Sequence, residues 1–294
     1  MISLSGLVAL AAEHADDLDL PVAPLPLGGR DLDTDERAAV MGVVNLSRDS
    51  SYRTSIAMSA ASAVRRGVVL AAQGADVVDV GAESTQAIAA KVDADGQERA
   101  LVPVVRGLVE AGVTVSVESY EASVVRACLA AGASVLNLTG SVDDAAMFDL
   151  AAEHDATVVL CHVQGPHARA LERQDVDDDP FPAMLEQFGR RLDDARARGV
   201  RGLAIDPGLG FGFRLDDPLL RVRHQTAVLL AGFRLRRLGV PVCQSVPHGF
   251  TLFEDQFQIG EGFFSVLAHL GGTGLYRTHE VPQLVAIQAA LRTL

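Results

Sequence analysis

The segment Ala75–Thr85, ADVVDVGAEST, decides the fold class of this chain. It is a short apolar run that ends at Gly81 and continues into acidic and hydroxyl side chains. Gly74 comes directly before it, and residues 57–73 before that glycine have apolar side chains at helical spacing. A helix stopped by glycine, a short apolar strand and a polar turn together form one unit of a parallel β/α structure.

Seven more apolar runs of this kind occur along the chain. The eight runs are VMGVVNL (40–46), ADVVDVG (75–81), VTVSVES (113–119), ASVLNLT (133–139), TVVLCHV (157–163), GLAIDPG (202–208), VPVCQSV (240–246) and GTGLYRT (272–278). Glycines mark the expected joints between helix and strand at Gly74, Gly112, Gly132, Gly199 and Gly239. An open doubly wound sheet would show the same alternation. The count of eight and the nearly continuous apolar strands favour an α/β fold of the (β/α)8 TIM barrel type.

The chain divides into two unequal parts. Residues 1–37 are acidic and contain proline, and we expect an N-terminal extension or cap there. Residues 38–294 hold all eight runs with no linker or low-complexity tract between them, so we expect one barrel domain.

Composition excludes several classes of function. The net charge of −13 argues against a nucleic-acid partner, because such proteins concentrate Lys and Arg on one face. Cys128, Cys161 and Cys243 lie far apart in apolar runs, which is typical of buried free thiols. The N-terminus lacks the basic region of a signal peptide, and no apolar run is long enough to cross a membrane. We therefore expect a cytoplasmic protein with no membrane contact.

Polar side chains end several of the strands, and β/α barrels build their active sites at these C-terminal ends. Glu118, Asn137 and Asp206 end the third, fourth and sixth runs. Two carboxylates that accept hydrogen bonds and one carboxamide that donates and accepts suit a planar heterocycle with N–H donors and a carbonyl. Alternatively, each acid caps the following helix or is simply solvated.

A second group of polar residues suggests an anion site. Arg277 and His279 lie two apart on the last run, so they face the same side of a strand. Other strand ends add an amide and two hydroxyls, at Asn45, Ser84 and Thr85. Together these groups could hold a phosphate near the loops that often bind phosphate in barrels. The alternative is a structural arginine paired with Glu280 or another nearby acid.

Other motifs carry weaker signals. The glycine-rich turn of Asp206–Gly212, DPGLGFG, permits close approach of a ligand, and Phe211 could pack over a ring or fill the core. Cys161 and His162 are adjacent and so face opposite sides of a strand, which argues against a zinc site. No G-x-S-x-G turn for a serine nucleophile is present.

Six motifs, in order, resemble those of dihydropteroate synthase, the pterin-binding barrel of folate synthesis. They are MGVVNLSRDS (41–50), DVVDVGAEST (76–85), SVESY (116–120), VLNLTG (135–140), IDPGLGFG (205–212) and YRTHEV (276–281). The resemblance runs from about Val40 to Val281. The reaction of the family joins 6-hydroxymethyl-7,8-dihydropterin pyrophosphate to p-aminobenzoate and displaces pyrophosphate.

The resemblance implies roles for the strand-end residues. Glu118, in place of the usual Asp, would hold the pterin ring together with Asn137 and Asp206. The pyrophosphate would be held by four residues, Asn45, Thr85, Arg277 and His279. Mg²⁺ would lie near Asn45, and the ligand would be a pterin or folate. The resemblance also implies a homodimer.

The departures from the family motifs concentrate in the region of the second substrate. The seventh-strand motif S-R-K is replaced by Ser245-Val246-Pro247, so its lysine is missing. The first-strand motif lacks the Pro and Phe of the aminobenzoate pocket, since Ser47–Ser51 reads SRDSS. Gln86 replaces the arginine that follows the E-S-T motif. Lost positive charges weaken stabilisation of a leaving pyrophosphate, at about 1.5–3 kcal/mol for each charge-assisted contact.

Three hypotheses follow from these patterns. The first is a dihydropteroate synthase-like transferase with an altered second-substrate pocket, in which Arg277, His279 and His248 are catalytic. The second is an enzyme acting on an intact reduced folate by one-carbon transfer, with His248 or Glu121 as acid or base. The third is a non-catalytic pterin-binding homologue.

Overall fold

A computed structural model of the chain describes residues 2–47, 57, 59–84, 90–171, 179–209, 215, 217–246 and 250–293, except the side chains of Phe250, Thr251 and Phe257. A short antiparallel hairpin precedes the main sheet and consists of β1 (Leu25–Leu27) and β2 (Arg30–Leu32). The main sheet contains β3 (Ala39–Asn45), β4 (Val77–Gly81), β5 (Val115–Glu118), β6 (Val135–Leu138), β7 (Thr157–Cys161), β8 (Leu203–Asp206), β9 (Cys243–Ser245) and β10 (Leu275–Thr278).

Helices connect these strands. They are α1 (Leu4–Glu13), α2 (Ala60–Ala72), α3 (Ala94–Glu110), α4 (Ala122–Ala130), α5 (Asp144–Glu153), α6 (Phe181–Ala197), α7 (Pro218–Leu230), α8 (Phe250–Phe253), α9 (Phe257–Leu270) and α10 (Val281–Leu291). Short 3-10 turns occur at Ala15–Asp17, Gly232–Leu238 and Glu254–Gln256. No helix among the described residues is long and apolar enough to cross a membrane.

The eight main strands are parallel and form a nearly closed barrel. Hydrogen bonds join them in the order β8-β7-β6-β5-β4-β3-β10-β9. A bridge between Ile205 and Val242, with the amide of Ile205 donating to the carbonyl of Pro241 at 3.1 Å, closes the gap between β8 and β9. Each predicted run overlaps one of these strands, so the predicted TIM barrel is confirmed.

The joints between helices and strands also follow the sequence. Five glycines precede strands at the predicted positions, and their φ angles lie between 71° and 109°. Only glycine adopts this left-handed region without strain, which explains why the helices end there. The three cysteines are free and buried, as predicted.

The hairpin of β1 and β2 closes the N-terminal end of the barrel. Leu25 and Leu27 are fully buried. They pack against inward-facing side chains near the beginnings of the barrel strands. The Thr157 hydroxyl at the start of β7 donates to the carbonyl of Pro26 at 2.5 Å. These contacts form a floor that covers the end of the barrel opposite the C-terminal ends of the strands.

Candidate active site

The C-terminal ends of the strands bring several predicted side chains to one opening. Strand register places Glu118 on β5 opposite Asn137 on β6, and Asp79 on β4 opposite Ser116. Asp206 ends β8, and Arg277 lies on β10. Because parallel barrel strands present their ends on the same side, these groups form one polar cluster above an apolar interior.

Arg277 is the centre of this cluster. Its Nε donates to Asp79 Oδ2 at 2.8 Å, and its Nη2 donates to Glu118 Oε2 at 2.5 Å. The Ser116 hydroxyl donates to the other oxygen of Asp79 at 2.6 Å. The guanidinium is therefore held inside the barrel by two carboxylates. This agrees with the alternative prediction of a structural arginine paired with nearby acids. Its partners are Asp79 and Glu118, not Glu280.

Asn137 has a fixed orientation. Its Nδ2 donates to Asp79 Oδ2 at 3.1 Å, and the Cys161 thiol donates to its Oδ1 at 3.2 Å. Burial raises the pKa of Cys161 well above its ordinary value, which keeps the thiol protonated and able to donate. One amide proton and one acceptor lone pair of Asn137 remain for a ligand.

Asp206 accepts two hydrogen bonds from its own side of the barrel. Its Oδ1 accepts from the amide of Gly208 at 2.7 Å, and its Oδ2 accepts from the Ser245 hydroxyl at 3.0 Å. Each carboxylate oxygen has a second lone pair, so the group can still accept bonds from a ligand. Only 1% of Asp206 is exposed.

Burial is the largest single influence on the pKa values of Glu118, Asp206 and Arg277. It raises the pKa of Glu118 to about 7, against the lowering effect of Arg277 and with help from the charges of Asp79 and Asp206. Burial likewise raises the pKa of Asp206, and the bonds from Gly208 and Ser245 oppose this rise. Burial acts to lower the pKa of Arg277, but Glu118 and Asp79 outweigh it and keep the guanidinium charged.

Sequence reasoning did not find the contacts that build one side of the opening. Glu83 accepts from the Tyr120 hydroxyl and from the amide of Val92 at 2.9 Å. Arg169, which is almost buried, donates to the carbonyl of Ser84 at 2.5 Å and lies 3.6 Å from Glu83. Glu83 thus joins three loops as a scaffold.

The segment of residues 164–171 after β7 lies across the ends of β5 and β6. Its His167 pairs with Gly140 and stacks on Tyr120, with ring centroids 4.2 Å apart. The amide of Ala168 donates to the carbonyl of Thr139 at 2.9 Å. These contacts connect positions far apart in sequence, and no local pattern marks them.

The remaining predicted residues are distributed around the opening or lie outside the described part of the chain. Asn45 ends β3, and Ser84 follows β4. His279 follows β10, and its amide donates to Glu261 at 3.3 Å. Three predicted residues lie outside the described residues, namely Thr85, Phe211 and His248.

His162 faces away from the barrel interior. Its Nδ1 contacts Gln187 on α6, while the thiol of Cys161 contacts Asn137 inside. The predicted opposite orientation of these neighbours is confirmed. In the part of the chain that the structure describes, no group of three or more His, Cys, Asp or Glu residues could hold a metal ion.

Comparisons with known proteins identify relatives. The sequence profile of the family described as "Pterin binding enzyme" matches residues 41–279. A dihydropteroate synthase from Mycobacterium leprae is 34% identical, over 82% of this chain and 88% of its own length. A probable bifunctional folylpolyglutamate synthase/dihydropteroate synthase from Haloferax volcanii is 28% identical over 95% of this chain, which spans only 35% of that relative.

Solved structures agree with the sequence relatives. Dihydropteroate synthase from Thermus thermophilus is similar in its complex with 6HMPPP, with a TM-score of 0.71 and 27% identity. Its complex with 4-aminobenzoate gives a TM-score of 0.73 at the same identity. Each covers 92% of this chain and 99% of the Thermus chain.

Proposed function

Because this chain belongs to the pterin-binding enzyme family, we propose that it is a dihydropteroate synthase-like transferase with an altered second-substrate pocket. One observation carries the proposal: Glu118, Asn137 and Asp206 converge at the opening of the barrel with free hydrogen-bonding capacity. The solved relative that binds 6HMPPP supports a pterin as the ligand.

The chain's own residues suggest how the ring is bound. The carboxylates of Glu118 and Asp206 would accept hydrogen bonds from the N–H groups of the pterin, and Asn137 would both donate and accept. Asp79 and Cys161 hold the Asn137 amide in one orientation, so the ring meets a preorganised partner. The buried Leu25 and Leu27 of the hairpin cover the interior of the barrel from the opposite end.

The altered pocket is supported by the lysine content of the whole chain. Lys91 is its single lysine, so no other strand can supply a replacement for the lysine missing at the end of β9. Lys91 itself is exposed on the connection between β4 and α3. Arg277, the predicted anion-binding group, is already paired with Asp79 and Glu118. The opening of the barrel thus offers less positive charge to a leaving pyrophosphate than it would with the lysine and arginine of the family motifs.

The test is a direct assay. The protein would be incubated with 6-hydroxymethyl-7,8-dihydropterin pyrophosphate and p-aminobenzoate while pyrophosphate release is followed, with the M. leprae relative as the reference. We expect tight binding of the pterin substrate but slow turnover with p-aminobenzoate. The double substitution Val246→Arg/Pro247→Lys, which restores the S-R-K motif, should raise the turnover. Turnover equal to the reference would contradict the altered pocket, and absence of pterin binding would overturn the function.

A second candidate function is action on an intact reduced folate. The combination of retained ring-binding residues and a missing lysine favours it. The proposed ring-binding groups Asn137 and Asp206 are held in place by their neighbours, while the lysine of the S-R-K motif is missing. Calorimetric titration with tetrahydrofolates separates the two candidates. Folate binding tighter than that of the pterin pyrophosphate would favour it, and no folate binding would remove it.

Mg²⁺ and the homodimer remain proposals. The described residues around Asn45 give no carboxylate cluster that fits a divalent ion, and Asp49 lies outside them. The homodimer is supported by large apolar side chains exposed on α7 and α9, namely Leu219, Leu220, Ile259 and Phe263. Light scattering should give a dimer mass for the wild type and a monomer mass for Phe263→Glu. A monomeric wild type would contradict it.

A further inference from the structure

Glu261 on α9 is a buried carboxylate behind the last barrel strand. Only 2% of its surface is exposed. Burying an ionised carboxylate costs free energy unless hydrogen bonds replace its water. The proposed ring-binding contacts do not involve Glu261, so the partners of its side chain indicate what it does.

Two donors from the end of β10 meet on one oxygen of Glu261. The Thr278 hydroxyl donates to Oε1, and the amide of His279 donates to the same atom at 3.3 Å. The Thr278 hydroxyl oxygen also accepts from the amide of Glu280 at 2.9 Å. One carboxylate oxygen therefore fixes the backbone where β10 ends and α10 begins.

The alternation of side chains along β10 shows how this contact acts on the neighbouring residues. Arg277 points into the barrel towards Asp79 and Glu118, whereas the next residue, Thr278, points outward to Glu261. Because side chains alternate along a strand, fixing Thr278 and the His279 backbone from outside sets the direction of the residues on either side. These two neighbours, Arg277 and His279, are the pair predicted to bind the anion.

We infer that Glu261 is a positioning residue for the anionic part of the substrate, acting from behind β10 on Arg277 and His279. This inference rests on the proposed function. It names a residue outside the matched motifs, and it places a support for β10 on the outer side of the strand, opposite the contacts of Arg277 with Asp79 and Glu118. The hydrogen bonds of the ring-binding groups Asn137 and Asp206 run to Asp79, Cys161, Gly208 and Ser245.

The experiment compares two ligands on the full chain. Calorimetry would measure the affinity for 6-hydroxymethyl-7,8-dihydropterin pyrophosphate and for 6-hydroxymethylpterin, which lacks the pyrophosphate. Glu261→Ala should weaken binding of the first ligand by about tenfold and binding of the second by much less, because the ring-binding residues reach Arg277 only through Glu118 and Asp79. Glu261→Gln keeps an acceptor oxygen and should restore binding close to the wild-type level.

Two further variants keep the test decisive. Thr278→Val removes the donating hydroxyl and should cause the same selective loss to a smaller extent, even where Glu261→Ala does not fold. Ser265→Ala is the matched control, because its hydroxyl donates to the backbone carbonyl of Glu261 at 2.8 Å and not to β10. It should change neither affinity.

The outcomes are distinct. Equal effects on both ligands, no effect in Thr278→Val, or a Glu261→Gln variant as weak as Glu261→Ala would overturn the inference. A wild type that binds neither ligand would overturn the proposed function and this inference with it. A wild type that binds both ligands, combined with unselective variants, would leave the proposed function standing and remove only the role of Glu261.

Discussion

Asp206 is the residue on which the ring site depends most directly. Its two oxygens are held by Gly208 and Ser245, so the carboxylate cannot rotate away from the opening. We predict that Asp206→Ala lowers pterin affinity by at least about a hundredfold, because a buried acceptor for charge-assisted bonds is lost. Calorimetry checks this. Ser245→Ala is the control and should cost much less. Unchanged affinity in Asp206→Ala would remove the site assignment.

Glu118 should make the protein sensitive to pH. Its pKa in the folded protein is about 7, raised mainly by burial above the ordinary value of 4.5. Between these two values the folded state binds more protons than the unfolded state, so stability falls as pH rises through this window. We predict that Glu118→Gln removes this fall, as measured by urea unfolding at several pH values. A wild-type stability that rises from pH 5 to about 7, with no difference in the variant, would contradict the assignment.

Sequence reasoning at the residue scale located the polar strand ends, and their role in binding a ring stays a prediction. Glu118, Asn137 and Asp206 were predicted from their positions, and the structure brings them to one opening. The role of Asp79 as the partner of Arg277 and Asn137 was not predicted, although the strand that carries it was. The contact of Arg169 with Ser84 spans 85 residues, and a single sequence gives no signal for such a pair.

At the scale of the elements, the hairpin of β1 and β2 covers the N-terminal end of the barrel and contributes to its stability. Leu27 is fully buried there, and large-to-small changes in a core cost about 2–5 kcal/mol. We predict that Leu27→Ala lowers the free energy of unfolding in urea by this amount. Leu4→Ala on α1, where 79% of the leucine is exposed, is the control and should change it little. Equal small effects would show that the hairpin does not seal the barrel.

The eight strands were predictable because each is a short apolar run, and five of the runs follow a glycine joint. The hairpin was not, since β1 and β2 have three residues each and no period to detect. Residues 1–37 were therefore expected only as an extension or cap. Their role depends on the fit of two leucines into a barrel that the rest of the chain forms.

At the scale of the whole molecule, the chain carries a large excess of negative charge. The chain has 38 acidic and 25 basic residues, a net charge of −13. Salt screens this repulsion, since the Debye length falls from about 10 Å at 0.1 M to about 3 Å at 1 M. Salt also weakens exposed ion pairs such as Arg201–Asp155, but these contribute little. We predict that the thermal midpoint rises between these salt concentrations, as measured by calorimetry. A fall would show that ion pairs outweigh the net repulsion.

The closed floor has a kinetic consequence for any reaction in this barrel. Because the hairpin covers the opposite end, a ring bound deep beside Asn137 and Asp206 would have to enter before a second ligand that binds above it. Steady-state measurements should then show compulsory-order kinetics, in which the deep ligand cannot dissociate from the ternary complex. Trapping experiments with labelled pterin would find it committed to product once the acceptor is bound above it.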